Sequence, residues 1–532
     1  MFTLEFILRK LITSYEPGQY LFFLVAGIVS AIFGYCKHRS LTSVTKTIKV
    51  FITTFSVIQL IFLCVLWVNH INFPLNLEPM ELTVRQHVLR IVNGLPLYPE
   101  PSSNFVALAY NPLYYYLTVP FTYIFGTGLS TMRFVSILGM LGSCFLIYLT
   151  ILRKTDSKWL SLIAAAIFAS AYRVMETYLD NAFPDSWMLM SILLGCYLID
   201  LNRSRLWNMF GVMCLVIAFW FKQPGAIFTV GAVLYLTWRE GVRSSWYYWL
   251  LAIFFGPVLY FVMPNEVLGP RFHYFTWVVP RHWAQFDMGH ILRIFYFLLK
   301  TYLILAMISL YAGGVLLLRK RDEISIWFAI IPFVFASALP GLSDPESAKN
   351  LYIPIGVWLI IIGIIGLHYW INAASDLTGK HIFAILLTFG FLSYDPRTVI
   401  IPPRANQNYQ EMVQYLDSFD GTIYSPWVGQ LQNDYEFYPS AHWVPMVDIV
   451  RPGYQYYVSP IMRTLLEPVI HPEGNAYIFT PIPLDQDPAL YFLADYYILE
   501  DDLGDRFKAL KPLPKEYNIG WPRYLYRYGN PP

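Results

Sequence analysis

The side chains that could do chemistry fall in a few short polar stretches, each flanked by long apolar runs. They are Glu78 and Glu81 in "LEPMEL", Asp180 and Asp185 in "YLDNAFPDS", Lys222 and Gln223 in "FKQPG", the cations of "RFHYFTWVVPRHW", and Lys349 in "SAKNLYIP". A carboxylate at such a place can take the proton of an attacking hydroxyl. A cation there can neutralise a phosphate. The aromatic rings around Arg281 and His282 can stack on a sugar or lie in a lipid interface.

Each stretch also has a plain reading. Glu81 and Arg85 share the apolar half of a short helix opened by Pro79 and closed by Gly94, and could form an i,i+4 pair. Glu78 could merely favour that helix N-terminus. Asp185 sits in a first helical turn, where an acid suits the dipole. Lys222 could snorkel to lipid headgroups, and the 263–290 segment could be an interfacial belt. Two acidic loops leading into or out of the bilayer on one face favour a shared site.

The elements that must position these groups are membrane helices. The 532-residue chain is 56% hydrophobic and 14% charged, with aromatics at 18%, a balance that points to a polytopic membrane protein. A net charge of +2 with no basic stripe argues against a nucleic-acid partner. Cys36, Cys64, Cys144, Cys196 and Cys214 all lie in or beside apolar runs, so neither a disulfide framework nor a cysteine zinc motif is expected. The N-terminal apolar run is too short for a cleaved signal.

Twelve spans are expected, near 19–36, 50–68, 132–152, 159–177, 186–200, 206–221, 225–238, 246–263, 291–318, 324–340, 351–367 and 381–395. The loops carrying Lys37, Arg39, Arg153, Lys154, Arg203, Arg205, Arg239, Arg243 and Arg319 to Arg321 then share one side, the cytoplasmic one. The acid-bearing loop at about 69–131 stays outside, with "NPLYYYLTVPFTYIFG" as an interfacial helix. The expected division is an added N-terminal helix and cytoplasmic loop over 1–49, a transmembrane catalytic unit over 50–395, and an external α/β domain over 396–532. Helical "NQNYQEMVQYLDSF" and strand-like "TIYS", "AYIFT" and "RYLYRY" mark that last part.

These motifs, in this order and on one side, resemble the polytopic GT-C fold glycosyltransferases that use lipid-phosphate sugars. That group includes bacterial aminoarabinose transferases, protein O-mannosyltransferases and rhizobial lipopolysaccharide transferases. "MELTVRQHVLRIVNGLPLY" and "YNPLYYYL" are similar to the first external loop of the family, "PDSWMLM" to its second acidic motif, and "FKQPG" and "AKNLYIPI" to later elements. Met80 departs from the acid that many relatives carry.

The resemblance implies a mainly α helical bundle that transfers a sugar from a polyprenyl-phosphate donor to an envelope lipid, glycan or protein on the extracytoplasmic face. It implies Glu81 as the base. Asp185 would position the acceptor or bind a possible divalent metal, with Asp180 a lesser candidate. Lys222, Arg281 and His282 would hold the donor phosphate with Gln223 and Lys349 beside them, and Tyr110 and Tyr114 would shape a groove. A transporter or flippase of lipid-linked sugars is the alternative; it would place charges near the bilayer midplane.

Overall fold

The computed structural model describes residues 15–529 except 177, 264, 320–322, 428–439, 451–459, 488 and 514–519. The N-terminal run and the basic residues at 320–321 therefore lie outside the described residues. Each expected span overlaps helix, but that at 159–177 ends its helix at Ser170 and that at 324–340 is broken into short helices. The bundle comprises α1 (Pro17–His38), α2 (Thr42–Ile71), α5 (Leu129–Thr155), α6 (Lys158–Ser170), α7 (Asp185–Leu201), α8 (Arg205–Phe221), α9 (Gly225–Glu240), α10 (Val242–Val262), α11 (Met288–Arg319), α12 (Ile331–Leu342), α13 (Ile353–Ala373) and α14 (Gly379–Leu392). Two shorter helices, α3 (Glu81–Val92) and α4 (Leu113–Phe125), fill the first long loop.

Six helices, namely α1, α2, α5, α10, α11 and the stretch Lys349–Ala373 that contains α13, are long and apolar enough to cross a membrane. The chain is thus a multi-pass membrane protein. α13 is apolar on every side and buried through Leu367, so it forms the centre of the bundle and packs against α11, α5 and α6. α10 bends where Gly256 leaves helical geometry beside Pro257. Between α10 and α11 the aromatic, cationic segment winds into short helical turns over Asn265–Leu268 and Tyr274–His282.

The C-terminal part is α/β. α15 (Ala405–Leu416) buries Tyr409, Met412, Val413 and Leu416, the spacing of one helical face. A four-stranded sheet follows, with order β1-β2-β4-β3, from β1 (Thr422–Tyr424), β2 (Ala476–Thr480), β3 (Tyr497–Asp502) and β4 (Tyr524–Tyr528). β1 runs parallel to β2, and the other pairs are antiparallel. α16 (Trp443–Val450) lies between β1 and β2 in sequence. Cross-hydrogen bonds seat this part on the acid-bearing loop: Leu513 N donates to Leu77 O (3.1 Å), Gln86 Nε2 to Ser440 O (3.0 Å) and Ala441 N to Ser103 O (2.7 Å).

Candidate functional site

The loop from α2 to α3 is folded around a residue that belongs to neither helix. Arg133, five residues into α5, is fully buried and bonds through all five of its N–H groups. Nε and Nη2 grip Glu81 at 2.9 and 2.6 Å, while Nη1 and Nη2 reach the carbonyls of His70 (3.1 Å), Phe73 (2.5 Å) and Leu75 (2.5 Å). Glu81 also accepts from Leu77 N (2.5 Å) and from Ala182 N (2.7 Å), so it ties the first acidic loop to the second. Its four acceptor positions are filled, and the partner is Arg133 rather than Arg85, whose Nε donates to Thr127 O. A carboxylate so saturated has no open acceptor position left for a further hydrogen bond.

Glu78 is held more loosely. Oε2 accepts from Met80 N at 2.8 Å and Oε1 from the Tyr178 hydroxyl at 3.3 Å. Burial pushes its carboxyl up to about 8, with Glu81 and Asp185 adding to the rise and those two hydrogen bonds opposing it. That places its titration near physiological pH, as proton transfer requires.

Asp185 opens α7 and meets Lys222 across the bundle, with Nζ 2.9 and 3.0 Å from its two oxygens. Lys222 is the extended residue that separates α8 from α9. Its position depends on Gly225: a Cβ there would stand 2.4 Å from the carbonyl carbon of Ala218, so only glycine lets α9 start against the end of α8. The ammonium also lies over the Tyr110 ring, 5.0 Å from its centroid. Gln223 Nε2 donates to the carbonyls of Ala109 (2.7 Å) and Thr276 (3.0 Å), and so braces the neighbouring loops.

Lys222, Gln223, Tyr110, Tyr178, Asn350 and Arg281 line one large cavity of about 1630 Å³. Its walls come from α8, α9 and α10, including Val216, Ile227, Val233 and Ile253, and its roof from Trp427, Trp443 and Val447. Neither Asp185 nor fully buried Glu78 lines the cavity, but Asp185 bonds Lys222 and Glu78 bonds Met80 and Tyr178, which do. Arg281 is exposed, with its guanidinium over Trp277 at 5.7 Å, and has no acid partner among the described residues.

Other expected residues stand apart. Asp180 is buried against His70 (2.8 Å) and the Tyr172 hydroxyl (2.7 Å), and His70 continues to Val399 O at 2.5 Å. That chain anchors α2 to the acid loop, away from the cavity lining. Tyr114 is fully buried, its hydroxyl 2.7 Å from Ser136 Oγ and 2.9 Å from Met132 O, so it shapes no groove surface. His282 is exposed and lies outside the lining. Lys349 pairs with buried Glu176 at 2.6 Å beside the cavity, while its neighbour Asn350 faces in and approaches Asp185 at 3.5 Å.

Sequence reasoning missed Arg133, Tyr178, Asn350 and the roof tryptophans. Arg133 had a signal, an ionisable group inside an apolar helix. Tyr178, Asn350 and the tryptophans had none. A divalent metal does not suit this donor set. Among the described residues no three His, Cys, Asp or Glu side chains gather, Asp185 is already matched by Lys222, and Glu81 by Arg133.

Residues 109–265, which hold Tyr110, Asp180, Asp185 and Lys222, match the family model described as dolichyl-phosphate-mannose-protein mannosyltransferase. No curated protein sequence matches the chain. Among solved structures, ArnT from Cupriavidus metallidurans in the apo state is similar with a TM-score of 0.54 at 12% identity, covering 89% of this chain and 98% of that one. The crystal structure of that ArnT bound to undecaprenyl phosphate gives 0.50 at 12% identity, covering 90% and 98%. That similarity covers 89% of the chain, and this multi-pass membrane chain accordingly has the GT-C glycosyltransferase fold.

Proposed function

We propose that the chain transfers a sugar from a polyprenyl-phosphate donor to an acceptor hydroxyl at the extracytoplasmic face of the membrane. The observation that carries this reading is the cavity, whose lining combines apolar side chains of α8, α9 and α10 with the cations Lys222 and Arg281. Such a space suits a hydrocarbon tail with a phosphate at its tip. The structurally similar ArnT bound to undecaprenyl phosphate supports the donor class. The side is supported by the basic residues at the opposite ends of the same helices: α8 begins at Arg205 and ends beside Lys222, and α5 carries Arg133 near its start and Arg153 and Lys154 at its end.

In this reading the bond from the anomeric carbon to the donor phosphate breaks, and polyprenyl phosphate leaves with the electron pair. A new bond forms to the acceptor oxygen, whose proton passes to Glu78. Lys222 and Arg281 offset the charge on the departing phosphate. Asp185 holds the Lys222 ammonium in place, and Tyr110 and Gln223 shape the pocket around it. Single displacement inverts the sugar.

The test is transfer by the purified chain in lipid nanodiscs, from a panel of undecaprenyl-phosphate hexoses and pentoses. Glu78→Gln should lower turnover roughly 10²- to 10⁴-fold while undecaprenyl-phosphate binding persists. Lys222→Met should weaken that binding. Undiminished turnover in Glu78→Gln would remove the proposed base, and a wild type that moves lipid-linked sugar across the bilayer without transferring it would favour a flippase.

A further inference from the structure

Asn350 lies on the short helical turn Lys349–Tyr352 that leads into α13, and it lines the cavity although it is only 4% exposed. The turn is held from two sides. Lys349 Nζ pairs with buried Glu176 at 2.6 Å. Leu351 and Tyr352 pack so closely on Gly341 that a Cβ there would stand 2.9 Å from Leu351 Cδ1 and 3.0 Å from the Tyr352 hydroxyl.

Charge sets the direction of the Asn350 amide. Asp185 Oδ2 lies 3.5 Å from Asn350 Nδ2 and 3.0 Å from Lys222 Nζ. A carboxylate only accepts, so the end of the amide turned toward it is the NH₂ end. The carbonyl oxygen Oδ1 is left over, and it receives no hydrogen bond from the described residues. Unlike the amide of Asn181, which is sealed inside the protein, Oδ1 keeps open surface, and the space it opens on is the cavity.

An amide oxygen so placed takes only a donor, an O–H or an N–H. Its neighbour decides which one. Lys222 shares the same carboxylate oxygen and is the cation that meets the donor phosphate in the transfer reading. Oδ1 therefore opens on the leaving-group side of the anomeric carbon. An acceptor hydroxyl that displaces the phosphate in line arrives from the opposite side, so it is not the group Oδ1 meets. The ring oxygen beside the anomeric carbon accepts and cannot donate. The other neighbour is the substituent on C2, which as a hydroxyl or an acylamino group carries the O–H or N–H required. Hydrogen bonds at that position strengthen as the anomeric carbon becomes cationic.

We infer that Asn350 is a specificity-determining residue for the transferred sugar: Oδ1 accepts a hydrogen bond from the C2 substituent, and the donors are lipid-phosphate sugars with a C2 hydroxyl or acylamino group rather than 2-deoxy sugars. This rests on the transfer reading and deepens it.

The experiment uses the full chain in lipid nanodiscs, without acceptor, and reads affinities by native mass spectrometry. Undecaprenyl phosphate alone reads the phosphate end. Undecaprenyl-phosphate glucose, galactose, mannose and N-acetylglucosamine are each set against the matching 2-deoxy sugar lipid. In the wild type at least one parent should bind about tenfold more tightly than its 2-deoxy counterpart, the worth of one hydrogen bond. Asn350→Leu, similar in shape but without polar atoms, should bring that ratio to about one. Taking the ratio cancels any change the variant makes at Lys222 through Asp185. Asn350→Ala should do the same and carries the test if the leucine variant does not fold. A wild type that binds undecaprenyl phosphate but treats every 2-deoxy lipid like its parent, or a variant that keeps the wild-type ratio, would overturn the role of Asn350 and leave the transfer reading standing. A wild type that does not bind undecaprenyl phosphate would sink the transfer reading and this inference with it.

Discussion

Arg133→Ala should be among the most damaging single changes in this chain, and the reason is countable. The guanidinium and the Glu81 carboxylate are both fully buried, and Arg133 makes five hydrogen bonds: two to Glu81 and three to loop carbonyls. Removing it strands a buried carboxylate, which costs about 3–5 kcal/mol. The three carbonyls add about 1 kcal/mol each where water cannot replace the donor. Arg133→Lys should recover only part, because an ammonium has three donors and no planar fork. The double variant Arg133→Met/Glu81→Met removes both charges together and should lie well above the sum of its singles, with a coupling of about 3 kcal/mol. Unfolding by SDS titration in mixed micelles measures all four corners of that cycle. The same proteins report function: with Glu81 acting as a strut, the folded double variant should keep measurable turnover. A coupling below about 0.5 kcal/mol, the range of independent sites, would refute the strut; a dead but fully folded double variant would return the base to Glu81.

The raised Glu78 carboxyl gives a signed pH effect. Between its ordinary value near 4.5 and about 8 the folded state holds a proton that the unfolded state has lost. Its contribution to stability is thus full below 4.5 and is lost as pH rises toward 8 at about 1.4 kcal/mol per pH unit; Glu78→Gln should flatten that slope in unfolding measured from pH 5 to 9. Turnover, which needs the deprotonated form, should rise with pH through about 8, and a wild-type rate independent of pH there would count against Glu78 as base. His87 behaves oppositely: burial lowers it to about 3, and its neutral ring donates Nδ1–H to Thr83 O (2.7 Å) and accepts from Leu108 N (3.1 Å). Its contribution is present above pH 6.5 and is lost as pH falls toward 3, so His87→Gln should be less acid-sensitive than wild type across that window, as circular dichroism can show. Gly225→Ala forces a Cβ against the α8 backbone and should lower both thermal stability and undecaprenyl-phosphate affinity, because the same contact sets Lys222; unchanged binding would separate that glycine from the site.

The helices and strands were legible because their physics is local. Apolar runs marked every helix of the bundle, and alternation marked Thr422–Tyr424, Ala476–Thr480 and Tyr524–Tyr528. Asp185 and Lys222 could be singled out because a charge at the end of an apolar run is costly unless something uses it. Partnership was another matter. Glu81 and Arg85, one helical turn apart, read as a pair, yet Glu81 meets Arg133, 52 residues away, and Asp180 meets His70, 110 residues away. Those choices follow from how helices cross, which periodicity along one helix does not contain. The composition and order of this chain thus determined a membrane bundle with acids and cations at one set of helix ends. Only the packed structure decided that Glu81 is gripped by Arg133 while Glu78 is held by Met80 and Tyr178, and that two tryptophans from a distant, polar segment line the cavity. Burial and donor geometry are properties of neighbours in space, and the neighbours here come from parts of the chain that no local pattern connects.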